Sequence, residues 1–546
     1  MTRSALRRLD WRFLLAIPDD GPFDNLLLMG GDPSVADAAV ASGLARSVHR
    51  RFDPAVTYDG AALLEGADIP LAMLAACLER DAPVYVEISR RRRLWPIMTA
   101  GRLERALRRA GLRPTGLFWA RPSGAGYRMF LPVEAPGALT WYVATQLTRR
   151  TPAHTLAGIG LGMLARLGSG WLGLVVPHLA VTAVAQATND PSADSPGLLS
   201  ALGKLPSVVE PIHDARAILL AGGQGDWSRV VLLPFARAAV LPAVVLKVPR
   251  LATLNDWTEH EQATLLRVRH GLGAERSRSL PDPRGTVTWR GLSVACESYV
   301  SGRSLASVDA SWRRSHADRE RDLRHAVEWL AEFHASIRPE DAMGESKHAV
   351  ALGDLLAAYE QAFRASASEQ RLFDAARAEA SAHGGIRLPT VWQHADFGPW
   401  NVIRSARGLK VLDWENARPG PALADLLYFT THWLHTVRGH SEGPAATMDV
   451  RELFLDRSTA AKDVHAARSA MDGYLARLHV DGRWIGLMLV YTFVEQAVER
   501  TIRLRTIRQV PDDPRAENRY VRYTEELASQ SERLFSAKTG ARPWSN

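Results

Sequence analysis

The sequence predicts an α/β N-terminal domain followed by an α+β region of two lobes. Three observations carry that expectation. Short apolar runs alternate with helical patterns up to about residue 150. Strand-like runs recur between about residues 198 and 300. From about residue 305 onward the pattern is almost wholly helical. Strands alternating with helices belong to α/β layers, and strands followed by helices to an α+β arrangement. A length of 546 residues also exceeds what one hydrophobic core ordinarily serves.

In residues 1–150, Asn25–Met29 reads as a buried strand, Gly30-Gly31-Asp32 as the turn after it, and Ser34–Leu44 as a helix. Pro83–Ile88 reads as a second buried strand. Arg102–Ala110 reads as a helix stopped by Gly111, the residue type that most readily leaves helical geometry. The basic run Arg90–Arg93, with Arg102, Arg105, Arg108 and Arg109, reads as a solvated helical face. Residues 151–197 are expected to be an apolar helical segment and a linker. Thr155–Ala187 is apolar, but Arg166, several glycines and Pro177-His178 interrupt it, which disfavours a membrane span. Asn189–Gly197 is made of turn formers. Residues 198–546 divide near 300. Ala217–Leu220, Val230–Leu233 and Val244–Val248 are strands of the smaller lobe, about 198–300. In the larger lobe, about 301–546, Leu323, Val327, Leu330 and Ile337 fall on one helical stripe, as a buried face requires.

Composition excludes some classes. Hydrophobic residues are 46% and charged residues 23% of the chain, which argues against wholesale disorder. A formal charge of +8 permits an anionic partner but selects none. No nucleic acid is expected, and no stable membrane insertion, at most weak peripheral association. Cys77 and Cys296 are far apart, giving neither a disulfide framework nor zinc spacing, so a cytoplasmic location is expected.

The chemistry concentrates in His394-Ala395-Asp396-Phe397-Gly398-Pro399-Trp400-Asn401 and Leu412-Asp413-Trp414-Glu415. Val402-Ile403 and Lys410-Val411-Leu412 read as two short strands joined by the turn Ser405-Ala406-Arg407-Gly408. Such a hairpin brings Asn401 at its entrance close to Asp413 at its exit. An amide oxygen beside a carboxylate is a hard donor pair suited to Mg²⁺. Asp396, on the loop entering the hairpin, could accept a proton from a substrate hydroxyl. Phosphoryl transfer asks chiefly for positioned phosphates, charge neutralisation and an oriented nucleophile.

These residues resemble the signature of the aminoglycoside phosphotransferase and choline kinase superfamily, His-x-Asp-x-x-x-x-Asn, a hairpin, then Ile/Leu-Asp-Trp-Glu. Gly420-Pro421-Ala422-Leu423-Ala424-Asp425-Leu426 is similar to its Gly-Pro-x-x-x-Asp-Leu. The resemblance implies a bilobal protein-kinase-like fold and ATP- and Mg²⁺-dependent transfer to a hydroxyl of a small molecule. It makes Asp396 the catalytic base and Asn401 and Asp413 the Mg²⁺ ligands, with His394 and Asp425 bracing the loop. Lys247, ending an apolar strand, would pair with the α/β-phosphates and with Glu261, or failing that Glu259. Gly222, Gly223 and Gly225 would turn over the triphosphate. Backbone near Ser298 and Tyr299 would meet adenine, and His334 reads as structural. No Gly-x-x-x-x-Gly-Lys-Ser/Thr occurs, so a P-loop enzyme is not supported. Trp433, His435, Tyr474, Tyr491, Glu495 and Glu499 are candidates for acceptor recognition. The stripe Leu487, Val490, Val494 and Val498 reads as core. The basic run Arg500, Arg503, Arg505 and Arg508 does not suit a polycationic acceptor. A non-catalytic binding module is the alternative reading.

Residues 1–150 resemble a shortened class I methyltransferase. Leu27–Asp32 stands where a first strand and its nucleotide loop would be, and Tyr58–Glu65 resembles a later strand. The glycine motif is only Gly30-Gly31, and Val48–Phe52 offers no acid for a ribose. A degenerate, non-methylating domain is the reading that follows, with a bifunctional methyltransferase–kinase as its alternative.

Overall fold

The computed structural model describes residues 5–15, 17, 21–89, 100–122, 126–146, 151–153, 156, 159–160, 163, 178–185, 198–202, 205, 215–222, 229–236, 239–337, 345–506, 513–535 and 544. The chain divides into two compact units. One is Met1–Leu147 with Ala153–Gln262 and Asp282–Tyr299; the other is Thr148–Pro152 with Ala263–Pro281 and Val300–Asn546.

The first unit holds one sheet. Its strands are β1 (Phe23–Met29), β2 (Ala45–His49), β3 (Gly60–Leu63), β4 (Pro83–Ser89), β5 (Leu112–Arg121) and β6 (Met129–Pro132). They continue as β7 (His178–Ala185), β8 (Arg216–Leu220), β9 (Val230–Phe235), β10 (Val244–Val248), β11 (Pro283–Trp289) and β12 (Leu292–Ser298). The order is β11-β12-β10-β9-β8-β6-β5-β7-β4-β3-β1-β2. Strands β2, β1, β3 and β4 run parallel; the remaining pairs are antiparallel.

Two expectations about residues 151–197 change here. The helical reading fails at His178–Ala185, which is strand β7, inserted between β4 and β5. Leu179, Val181 and Ala183 enter the apolar core on one face of the sheet and Ala180 the core on the other. A strand buried on both faces has no polar alternation, so its sequence reads as a continuous apolar run. Strands on either side of the segment also share one sheet, since β6 pairs with β8 through Met129↔Leu220 and Phe130↔Leu219. Most of Thr155–Pro177, the turn-forming stretch Asn189–Gly197 and Arg90–Arg93 lie outside the described residues. Arg102, Arg105, Arg108 and Arg109 are exposed on helix Ala100–Arg109, while Leu103 and Leu107 are buried beneath them.

A 3₁₀ segment, Leu6–Leu14, lies along this sheet. Trp11 stacks on Tyr85 of β4 at 5.1 Å, and Phe13 packs on Trp289 of β11 at 5.8 Å. Asp10 accepts from Arg250 Nε and Nη2, both at 2.8 Å, and neither side chain is exposed.

The second unit is mostly helical, around one apolar core. Helix His316–Ser336 buries Leu323, Val327 and Leu330 on its expected stripe. Its small strands are β13 (Arg303–Ser304), β14 (Thr390–Gln393), β15 (Val402–Ser405), β16 (Gly408–Val411) and β17 (Arg418–Pro421). They form the sheets β13-β15-β16 and β14-β17. Among the described residues no helix is long and apolar enough to cross a membrane.

Candidate active site

The loop 394–401 runs from β14 into the hairpin β15–β16. Val402 pairs with Val411, and Leu412 N–H donates to Asn401 O at 2.9 Å. Asn401 and Asp413 therefore stand at the two mouths of one hairpin. Ala395 (φ 61°) and Asp413 (φ 67°) occupy the left-handed region, which costs a residue with a Cβ on the order of 1 kcal/mol or more. Asp425, in the first turn of helix Ala424–Arg438, offsets that cost. Its carboxylate accepts from His394 N–H (2.6 Å) and Ala395 N–H (2.8 Å). His394 Nε2 lies 2.8 Å from Leu412 O, so the same residue ties the loop to the exit of the hairpin.

His334 Nε2 lies 3.4 Å from Asp425 Oδ2, and His334 Nδ1 lies 2.7 Å from the Tyr474 hydroxyl. Burial works to raise the Asp425 pKa. The close approach of His334 and the fields of His334 and His394 outweigh it and hold the pKa below the ordinary carboxylate value.

Asp396 accepts from the Tyr428 hydroxyl at 2.7 Å and from Asn401 Nδ2 at 3.0 Å. Burial above all pushes its pKa up, to about 7; Asp413 and Glu415 add to the rise, and the Tyr428 hydrogen bond opposes it. A carboxyl poised near neutrality suits a general base. Asn401 spends its amide nitrogen on Asp396 O and Oδ2, which leaves its Oδ1 available as a donor. That oxygen and the Asp413 carboxylate fit Mg²⁺ chemically, and a divalent cation would relieve the repulsion among Asp396, Asp413 and Glu415.

In the first unit, buried Glu261 pairs with both Lys247 and Arg229. Glu259 instead accepts from the Ser293 hydroxyl at 3.2 Å. Glu297 stands 3.3 Å from Lys247 Nζ and accepts from Gln262 Nε2 at 3.0 Å. Sequence reasoning missed Glu297. The signal for it was strand register, because Val245 faces Glu297, two residues from Lys247. Gly222 adopts φ 62°, while Gly223 and Gly225 lie outside the described residues. Ser298 N–H donates to Asp282 O, and the Ser298 hydroxyl accepts from Asp282 N–H, both at 2.8 Å. That N–H is therefore not open to adenine. The Tyr299 hydroxyl accepts from Trp141 Nε1 at 2.6 Å.

Three of the candidates for acceptor recognition are committed to internal contacts. Trp433 donates to Asp309 (3.1 Å), His435 Nε2 lies 3.0 Å from Ala446 O, and Tyr474 meets His334. Glu495 and Glu499 pair with Arg418 at 3.0 and 2.5 Å, and Tyr491 lies within hydrogen-bonding influence of Glu495. The stripe Leu487, Val490, Val494 and Val498 is buried. Near Asp396 stand Trp400, Tyr428, His432 and Tyr520 instead. Tyr428 and His432 were findable, since they follow Asp425 at helical spacing. Tyr520 was not, because it arrives from a distant helix.

Residues 235–459 match the model of the phosphotransferase enzyme family. Among solved structures, the chain is similar to choline kinase from Cryptosporidium parvum Iowa II (10% identity, 59% of this chain and 90% of that one, TM-score 0.39). It is also similar to a choline/ethanolamine kinase family protein from Mesorhizobium loti (14%, 62% and 94%, TM-score 0.37). A third is choline kinase from Streptococcus pneumoniae (13%, 56% and 92%, TM-score 0.34). Likenesses this distant identify no substrate. None of the curated proteins matches the chain significantly. The matched stretch includes Lys247, Glu261, the loop 394–401 and Asp425, so over residues 235–459 the chain is similar to the phosphotransferase enzymes, which supports a small-molecule phosphotransferase.

Proposed function

We propose that the protein transfers the γ-phosphoryl group of ATP to a hydroxyl of a small molecule, with Asp396 as the general base. The observation that carries this reading is the hairpin that has Asn401 and Asp413 at its two mouths, with Asp396 bonded to Asn401. Asp413 and Asn401 Oδ1 would hold Mg²⁺, which supplies charge neutralisation on the phosphates. Lys247, oriented by Glu261 and Glu297, would hold the α/β-phosphates. The acceptor oxygen bonds to the γ-phosphorus as the bond to ADP breaks, and the hydroxyl proton passes to Asp396. Asp425 and His394 keep the loop in its strained shape throughout. An ATP-consumption screen against hydroxyl-bearing metabolites tests the reading. Asp396→Ala is expected to lower turnover by about 10²- to 10⁴-fold with nucleotide binding intact; transfer undiminished in that variant refutes the role.

Residues 1–150 are read as a degenerate methyltransferase-like domain. Its parallel strands β2-β1-β3-β4, followed by the inserted antiparallel β7, support that reading. In an open α/β sheet, ligands bind outside the carboxyl ends of the strands where the order reverses. At the ends of β1 and β3 the chain packs closely on itself. A Cβ on Gly30 would stand 2.7 Å from Leu64 O. Glu87 accepts from Glu65 N–H (2.9 Å) and Arg8 Nη2 (3.0 Å). Calorimetric titration with S-adenosylmethionine is expected to give no binding signal; a clear one favours the bifunctional alternative.

A further inference from the structure

The hydroxyl chain that starts at Asp396 ends at Tyr520, whose ring lies under the Arg519 guanidinium at 5.9 Å. Tyr428 donates to Asp396, and the Tyr520 hydroxyl lies 3.4 Å from that of Tyr428 and 3.1 Å from His432 Nε2. Trp400 packs edge-on against Tyr428 and His432 and is itself 38% exposed, an aromatic wall beside the base. Asn518 caps helix Arg519–Ser529 and donates to Ala497 O at 3.0 Å. That bond anchors the start of this helix against helix Trp484–Thr506 and sets Arg519 and Tyr520 beside Arg500. Arg500 follows Gln496 by one turn, and Gln496 Nε2 reaches Ala395 O in the catalytic loop at 3.3 Å. Arg500 is therefore on the helix face turned to the loop.

The charges around this point do not balance. On the same helix, Glu495 and Glu499 are matched by Arg418, and Glu499 also by Arg503 at 3.7 Å. Arg500 is only partly exposed and has no hydrogen bond or ion pair among the described residues. Arg519 donates to Ser441 O at 3.3 Å, and its ion pair with Glu442 is long, 3.9 Å, to a carboxylate 58% exposed. Burial, then repulsion from Arg519, lowers the Arg500 pKa, while Glu442 and Glu517 act the other way. Burial also acts to lower the Arg519 pKa, but Tyr520, Tyr523, Tyr428 and Glu442 outweigh it and raise it, and its guanidinium lies over the Tyr520 ring at 5.9 Å. Arg500, partly buried and without a close carboxylate, is the cation that an added anion would relieve. The guanidinium fork suits carboxylate and phosphate oxygens in particular.

We propose that Arg500 and Arg519 form an anion subsite of the acceptor pocket, so that the acceptor is a hydroxyl compound bearing a carboxylate or phosphate group. The proposal rests on the reading of Asp396 as the base, from which Tyr520 is separated by two hydrogen-bond lengths. The substrate class is then opposite in charge to an amino sugar or a quaternary amine.

The test uses the full chain with Mg·ADP and matched probes: glycerol, glycerate and glycerol 3-phosphate; 4-hydroxybenzyl alcohol and 4-hydroxybenzoate; and choline. Equilibrium binding and ATP-dependent transfer are both measured. At least one anionic probe is expected to bind about 10-fold or more tighter than its neutral partner and than choline, the scale of a charged hydrogen bond. Comparing glycerate with glycerol 3-phosphate tells carboxylate from phosphate. Arg500→Gln and Arg519→Gln should each erase that preference, Arg500→Lys should restore part of it, thermal melting of Arg500→Gln should not fall, and Mg·ADP affinity should stay unchanged. Preference for neutral or cationic probes, no binding of any anion, or an intact preference in both glutamine variants overturns the subsite. Anion binding that the arginines govern, with no transfer to any probe, would leave the subsite standing and count against the kinase reading.

Discussion

Asp396 is pulled in opposite directions by its neighbours. Burial leads the rise of its pKa to about 7, and the Tyr428 hydroxyl restrains it. Tyr428→Phe removes the restraint, so the ionised base should appear only at higher pH. The ascending limb of the kcat–pH profile is expected to move to alkaline pH, with turnover about 3- to 10-fold slower near neutrality; a limb that stays put or moves to acid pH rejects the assignment. Asp425→Ala strips partners from the buried His394 and Ala395 N–H groups and from His334. A loss of roughly 3–5 kcal/mol in denaturant unfolding is expected. The clustering of Asp396, Asn401, Asp413, His394 and Asp425 was legible because a single loop and hairpin carry most of them at short spacing. The positions of Glu297, Arg500 and Tyr520 were not, because they depend on strand register and helix packing that no local spacing encodes.

At the scale of elements, the hairpin 402–411 was readable from two short strand-like runs around a Ser-Ala-Arg-Gly turn. Helix Ala367–Ala382 is similarly explicit: Ser366 accepts from Glu369 N–H, and Glu369 returns the bond to Ser366 N–H at 2.7 Å. Ser366→Ala should cost about 1 kcal/mol, read from urea midpoints at constant slope; a change within error would show that the Glu369 contacts with Tyr359 (2.6 Å) and Arg515 (3.0 Å) suffice. Strand β7 escaped because both of its faces are apolar. Its glycine-rich surroundings then favoured a helical reading over a strand.

At the scale of the molecule, each unit buries a carboxyl group whose state bears on stability. In the second, burial and then Asp322 push the pKa of Asp309 up to about 7, while Trp433 donates to it. The folded state thus holds a proton that the unfolded chain releases near pH 4. This contribution is present at low pH and is lost as pH rises from about 4 to about 7. Asp309→Asn should flatten that part of the stability–pH curve and raise stability above pH 7 by roughly 2–4 kcal/mol; parallel curves for the two proteins would rule it out. In the first unit, Asp10→Ala would leave Arg250 buried without its carboxylate, at an expected cost of roughly 3–5 kcal/mol.

The insertion of β7 between β4 and β5 orders events during synthesis. Both neighbours leave the ribosome well before His178–Ala185 does, and until then their facing edges carry unsatisfied N–H and C=O groups. A nascent chain halted at residue 150 is a half-zipped sheet, exposed to edge-to-edge association. A recombinant fragment ending there should be insoluble or lack cooperative melting, whereas one carried past the last strand of the sheet, to Tyr299, should melt as a unit.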